Sequence, residues 1–174
     1  MKFILFLLSA FIFVGCSQDQ SYSDVELVRD ARIKAARALE LEKNLVLSGV
    51  GSQMMDQIKM IALSFDYFGP VDEEKARELL LAATNELISV VNEDERIRPY
   101  LHNYPFGPKN VEIRIFIRNA DGSKLSSDKL SVISALDGIL DYEVDDPKNV
   151  FFTSVLEETY DEAMKKQAKT IGSI

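Results

Sequence analysis

One segment of the 174-residue chain gathers most of the side chains that could do chemistry. Residues 95–110, ERIRPYLHNYPFGPKN, contain the only histidine and three of the five prolines. Prolines restrict the backbone, so the aromatic and cationic groups between them would be held on a stiff loop. One hypothesis is a binding pocket in which polar side chains contact an anionic or sugar-like group. These side chains are Arg96, Arg98, His102 and Tyr104.

The same segment has a structural interpretation, which we favour. In this interpretation the large apolar side chains close one end of the core and His102 lies at the surface; these side chains are Tyr100, Leu101, Tyr104 and Phe106. A lone histidine lacks the partner groups that nucleophilic catalysis needs, and neither Gly-x-Ser-x-Gly nor Ser-x-x-Lys occurs in the chain. We therefore predict no catalytic residues.

The sequence also argues against a metal site or a cofactor. Zinc usually takes three or four nitrogen or sulfur ligands, and the chain has one histidine and one cysteine. One acidic run consists of Asp141, Glu143, Asp145 and Asp146. It lacks the spacing and the closing glutamate of a calcium loop, so it predicts a solvated strand face. The sequence Gly49-Val50-Gly51 has no third glycine and no Gly-Lys-Ser ending, so it predicts a turn or an edge strand kinked by glycine rather than a phosphate-binding loop.

The single cysteine follows a leader. Lys2 precedes the apolar run 3–14, which as a helix would span ~18 Å and is too short for the ~30 Å hydrocarbon core of a membrane. The residues Phe13-Val14-Gly15-Cys16 resemble the lipobox of the bacterial lipoprotein signal peptide, with Phe13 where that family usually has leucine. The resemblance implies cleavage before Cys16 and diacylglycerol on its sulfur.

These features divide the chain into three parts. Residues 1–15 are the predicted signal peptide, 16–23 the lipidated cysteine and a polar tether, and 24–174 one folded domain. Acylation of Cys16 would leave no thiol, which excludes disulfides and thiol catalysis in the mature protein. The predicted location is the extracytoplasmic side of a membrane in the cell envelope. Ser17 is not the aspartate that retains lipoproteins at the inner membrane of some Gram-negative bacteria, which favours the outer membrane in such a source.

The charge excludes one class of partner. Twenty Lys and Arg against 28 Asp and Glu give a net charge of −8 and a pI near 4.8. Nucleic-acid binders neutralise phosphates with basic residues, so we expect no nucleic-acid partner. The expected partners are the membrane, through the lipid anchor, and a protein of the envelope.

Hydrophobic periodicity gives the elements that would position the loop. Two capping boxes, Ser23 with Glu26 and Ser154 with Glu157, mark predicted helix starts. The predicted elements are, in chain order, a helix over 24–44, a strand over 58–68, a helix over 72–92, strands over 111–118, 130–136 and 140–144, and a helix over 154–170.

The order of these elements predicts an α+β domain. About four strands would form a mainly antiparallel sheet with three helices. Because the connection over 69–109 contains a helix, the strands on either side of it could instead pair in parallel. The function we expect is non-catalytic binding or assembly in the envelope, and the alternative is a small hydrolase or a ligand-sensing domain that uses the Arg96–Tyr104 loop.

Overall fold

The structure is a computed structural model and describes residues 23–148 and 151–172. The predicted signal peptide, Cys16 and most of the tether lie outside the described residues. These described residues form three α-helices and six strands, together with two short 3-10 turns between α2 and β3. Their bounds are α1 Asp24–Lys43, β1 Val46–Met54, β2 Ile58–Phe68, α2 Glu73–Glu93, β3 Val111–Arg118, β4 Leu130–Leu136, β5 Ile139–Val144, β6 Thr153–Thr159 and α3 Tyr160–Ile171.

The six strands form one sheet in chain order, β1-β2-β3-β4-β5-β6. Neighbouring strands are antiparallel except β2 and β3, which are parallel and are joined through α2. The predicted α+β class with a mostly antiparallel sheet is therefore confirmed, and the parallel alternative for the 69–109 connection is correct. The expected count of about four strands is too low by two.

Local chemistry explains where the first two helices begin. The Ser23 side chain accepts from the Glu26 backbone N–H, while the Glu26 carboxylate accepts from the Ser23 backbone N–H, as the predicted capping box requires. Asp72 caps α2 by accepting from the Lys75 backbone N–H at 2.8 Å. A glycine with positive φ, Gly69, ends β2 where the sequence predicts it.

The core lies between the helices and one face of the sheet. Alternate residues of β3 are buried; three of their four partners in register on β2 are buried as well, and the fourth, Tyr67, is partly buried. Leu80 and Leu87 of α2 are fully buried in the same cluster. The other face of β3 carries Arg114 and Arg118, which form ion pairs with acidic residues on that face and leave it solvated.

The two strands absent from the predicted element order, β1 and β6, are the two edges of the sheet. For Gly49-Val50-Gly51 the edge-strand alternative is confirmed, because these residues lie within β1. In β1 the glycines are strand residues: a Cβ on Gly49 would lie 3.3 Å from the Ser64 Cβ, and one on Gly51 would lie 3.3 Å from the Ala62 Cβ. These glycines therefore permit close packing of β1 on β2 and form no phosphate-binding turn. Val46, Leu47 and Val50 are exposed, so β1 lacks the alternating pattern that predicts a strand.

The predicted start of the last helix is wrong. Residues 153–159 form β6, and α3 begins only at Tyr160. The operative capping box is Thr159 with Glu162, and Ser154 instead donates a hydrogen bond to the Asp141 carboxylate across the β5–β6 pair. A serine three residues before a glutamate also fits a strand whose polar side chains face solvent. The motif was therefore matched by chance.

Candidate functional site

The loop Glu95–Asn110 closes one end of the core. It follows α2 and contacts the start of β2, where the His102 backbone N–H donates to the Ile58 carbonyl at 2.9 Å. Its buried side chains are Ile97, Leu101 and Phe106. Part of the structural interpretation is therefore correct, because the loop does cover the end of the sheet at which β2 and β3 begin.

Two of the expected core side chains are on the surface. Tyr104 is 51% exposed and Tyr100 is 37% exposed, so neither tyrosine plugs the core. Asn92 provides the support instead: its side-chain amide donates to the Phe106 carbonyl and accepts from the Phe106 N–H. These two hydrogen bonds fix Phe106 in the core.

The four predicted binding residues do not form one site. Arg98 and Tyr104 meet, with the guanidinium 4.4 Å from the centre of the tyrosine ring. Arg96 donates hydrogen bonds to the Asp94 carboxylate. These bonds lower the pKa of Asp94, because they outweigh the opposite effect of burial. His102 lies 2.9 Å from the side-chain oxygen of Gln57. Because three of these groups are held by different partners, the loop offers no set of converging polar groups for an anion or a sugar.

Two adjoining clefts lie at the opposite end of the sheet, where the parallel strands end. A cleft of about 800 Å³ is lined by the β2–α2 turn and by the loop between β3 and β4. A neighbouring cleft of about 290 Å³ shares Val71, Asp72, Lys129 and Leu130 with it. The carboxyl ends of parallel strands are where open α/β sheets bind ligands.

The polar groups in these clefts are already engaged by the protein itself. Asp72 caps α2, and Lys75 lies 2.9 Å from Glu78 on the same helix. Lys129 lies 3.8 Å from Asp128. Ligand sites need several polar groups directed at one point, and these side chains point to their own helix or loop. The clefts therefore have the size of a ligand site without its chemistry.

The strongest electrostatic feature is a buried ionic cluster that joins α2 to the edge strand β6. The Glu158 carboxylate of β6 accepts from Arg77 Nε at 2.6 Å and from the Tyr142 hydroxyl at 2.6 Å. Arg77 also donates to Glu73 at 2.6 Å, and Lys166 of α3 lies 2.7 Å from the second Glu158 oxygen. Arg77, Glu158 and Tyr142 are all buried.

This cluster keeps fixed protonation states. Burial opposes ionisation of Glu158, but the hydrogen bonds from Lys166, Tyr142 and Arg77 outweigh it and lower the pKa of the carboxyl. Burial and the adjacent carboxylate raise the pKa of Tyr142, so its hydroxyl stays protonated and donates. Arg77 remains charged, because its two carboxylate partners outweigh burial and raise its pKa. A general acid or base needs a pKa near the working pH, and the pKa shifts of Glu158, Tyr142 and Arg77 all lead away from neutral pH.

Sequence reasoning missed this cluster. Arg77 and Glu158 are 81 residues apart, and each stands in a charged stretch that resembles a solvated surface. The one available signal was Tyr142, which occupies an inward position in the alternating pattern of β5. A buried tyrosine hydroxyl needs a hydrogen-bond partner, but the sequence does not say which residue provides it.

The strand β1 presents the most distinctive surface. Its outer side pairs with no other strand among residues 23–148 and 151–172. No charged residue and no proline occur between Asn44 and Asp56, and the exposed fractions of Val46, Leu47 and Val50 are 42%, 40% and 58%. Natural proteins usually protect a free edge with charges, prolines or bulges. Here two bulges leave Gly49–Gln53 as a regular stretch between them.

Arg32 of α1 reaches this strand and donates a hydrogen bond to the Gly51 carbonyl. The side chain is partly buried, and within the described residues its Nε has no hydrogen-bond partner. Burial lowers the pKa of Arg32, and no carboxylate of the described residues acts against this. The edge of β1 is therefore uncharged apart from one guanidinium that has no acidic partner within residues 23–148 and 151–172.

Searches of the described residues for other kinds of site gave two negative findings. No group of three or more His, Cys, Asp or Glu side chains in those residues could hold a metal ion. None of the helices in the same residues is both long enough and apolar enough to cross a bilayer. Comparisons with protein-family models, with curated proteins and with solved structures gave no match to this chain.

Proposed function

We propose that the chain is a lipid-anchored binding module of the cell envelope that holds a protein partner through the free edge of β1. The observation that carries the proposal is the long, uncharged and exposed edge strand Val46–Met54. A free edge offers unpaired N–H and C=O groups to an extended segment of another protein, which can add to the sheet as a further strand.

Two further observations support binding rather than catalysis. In the ionic cluster the Glu158 carboxylate accepts hydrogen bonds from Arg77 and Tyr142, so these buried side chains stabilise the fold. The polar side chains of the Arg96–Tyr104 loop are held by separate partners. Neither place supplies the converging groups that a hydrolase needs.

The anchor is tested by metabolic labelling with a fatty acid. The wild-type protein should take up label, and Cys16→Ala should take up none, because the thiol of Cys16 is the proposed acylation site. Stable anchoring needs two or more acyl chains, so wild type should also partition into detergent. Equal labelling of the two proteins would remove the anchor from the proposal.

The edge is tested by photocrosslinking in cells. A photoreactive residue at Val50 should give one discrete protein adduct, to be identified by mass spectrometry. Val155 of β6 is the matched control, because it is 57% exposed on the opposite edge strand against 58% for Val50. Equal adducts from both positions, or none from Val50, would contradict the proposed site.

A further inference from the structure

We propose that the segment bound at β1 carries an acidic side chain that pairs with Arg32. This inference rests on the proposed function, because it specifies the partner of the same edge. The occupant is an extended segment of a partner protein, apolar and uncharged except for one aspartate or glutamate.

The charge of Arg32 supports an acidic occupant. A guanidinium has five N–H donors, and the Gly51 carbonyl takes only part of this capacity. Several other cations of the described chain have carboxylate neighbours, as Lys43 has Glu78 at 2.8 Å and Arg118 has Asp66 at 2.7 Å. Cations without an ion pair among the described residues, such as Arg37 and Lys59, are exposed to water, whereas Arg32 is partly buried. Partial burial makes an unbalanced charge costly, and a carboxylate from the occupant would remove that cost with a charge-assisted hydrogen bond.

The position of Arg32 sets where the acidic residue must lie. Gly51 is the centre of the regular stretch Gly49–Gln53, so the carboxylate belongs near the middle of the bound segment. Val50 is paired with Leu63, whose side chain faces the helix layer, and Arg32 comes from that layer. The occupant should therefore place an apolar and an acidic side chain two residues apart on one face, since side chains alternate along a strand.

The local charge is compatible with one added carboxylate. Residues 24–60 contain six Lys and Arg against six Asp and Glu, which gives no net charge. Residues 72–172 contain 13 against 20, a net charge of −7. The edge at β1 is thus the neutral end of an acidic protein, whereas β6 carries the exposed carboxylate of Glu157, which would repel the same segment.

The test uses two synthetic peptides with blocked ends, Thr-Val-Thr-Asp-Thr-Val and its Asn counterpart, so that the only carboxylate is the aspartate side chain. The protein used is the chain without residues 1–15 and with Cys16→Ala, so that it carries no lipid. Each peptide is titrated into this protein, and binding is followed by NMR. The Asp peptide should bind about tenfold more tightly than the Asn peptide. In Arg32→Gln, which keeps an amide donor for Gly51, the two peptides should bind alike.

The other outcomes overturn the inference in distinguishable ways. If the two peptides bind wild type equally and Val50→Lys abolishes both, the edge site stands and the acidic partner is wrong. If Val50→Lys binds the peptides as wild type does while Val155→Lys does not, the edge site and the inference both fail. The same holds if neither peptide binds the wild-type protein. A dimer in sedimentation that Val50→Lys abolishes would make the occupant a second copy and overturn the inference.

Discussion

Replacing Glu158 by glutamine should cost the protein a large part of its stability. The substitution keeps the shape of the side chain but removes the charge that balances Arg77 and Lys166. Arg77 is 6% exposed and would be left with Glu73 as its carboxylate partner. Removing one partner of a buried ion pair costs ~3–5 kcal/mol, because the other charge stays buried without compensation.

The contribution of each neighbour to this cost can be separated. Lys166 is half exposed, so Lys166→Gln should cost less than about 1 kcal/mol, as exposed ion pairs do. Tyr142→Phe removes one hydrogen bond while Glu158 keeps two cationic partners, and it should cost ~1–2 kcal/mol. Glu157 is the exposed neighbour of Glu158 on β6 and provides the matched control. Glu157→Gln should change the free energy of unfolding by less than about 0.5 kcal/mol.

The pH dependence gives an independent check. The folded state lowers the pKa of Glu158 below its ordinary value of 4.5, so the carboxylate stabilises the fold above that pH. As the pH falls through the folded pKa, the carboxylate is protonated and this contribution is lost. The difference in unfolding free energy between wild type and Glu158→Gln should therefore be full at pH 7 and should shrink below pH 4.5.

Denaturant unfolding of the four variants at pH 7 and between pH 3 and 5 would measure these effects. A cost below 1 kcal/mol for Glu158→Gln, or a cost that is equal at pH 7 and pH 3, would refute the reasoning. In that case the carboxyl would be solvated or protonated in the folded protein, and the cluster would not join α2 to β6.

Other substitutions test the core and the loop. Phe106→Ala should lower the free energy of unfolding by ~3–5 kcal/mol, because a fully buried aromatic side chain is lost, whereas Tyr104→Ala should change it by less than about 1 kcal/mol; equal effects in a denaturant titration would contradict the arrangement of the loop. Leu80→Ala and Ile115→Ala should each cost ~2–5 kcal/mol, since both side chains are fully buried, and a loss below 1 kcal/mol in either would contradict this packing. The thermal midpoint should not change with EDTA, and a large decrease would reveal a metal site.

The centre of the fold could be predicted from the sequence because its signals are local and strong. The strand Val111–Arg118 has apolar side chains at every odd position, and its predicted bounds are those of the structure. The hairpin between β4 and β5 turns at Asp137-Gly138, where both residues have positive φ as this turn type requires. Ser23 and Asp72 each satisfy backbone N–H groups within the next three residues.

The edge strand β6 and the ionic cluster could not be predicted, because their determinants are distant in sequence or shared by two structures. The residues of β6 and the start of α3 contain apolar side chains spaced for a helix, and only pairing with β5 makes Thr153–Thr159 a strand. The bond from Arg77 to Glu158 depends on how β6 is placed beside β5. Arg32 resembles any surface arginine until α1 is placed beside Gly51.

The single parallel pair among the described strands has a consequence for the order of folding. On one side of it β1 and β2 form a hairpin, and on the other β3 to β6 follow one another as a meander whose longest connection is the 11 residues between β3 and β4. The pairing of β2 with β3 must wait until the intervening 42 residues have formed α2 and its following loop. Closing a long loop costs entropy before its contacts are made, so this seam should limit the folding rate. During synthesis the N-terminal part of the chain is made first, so the edge of β2 that pairs with β3 would stay exposed until β3 has been made. During that interval the protein is most prone to aggregation.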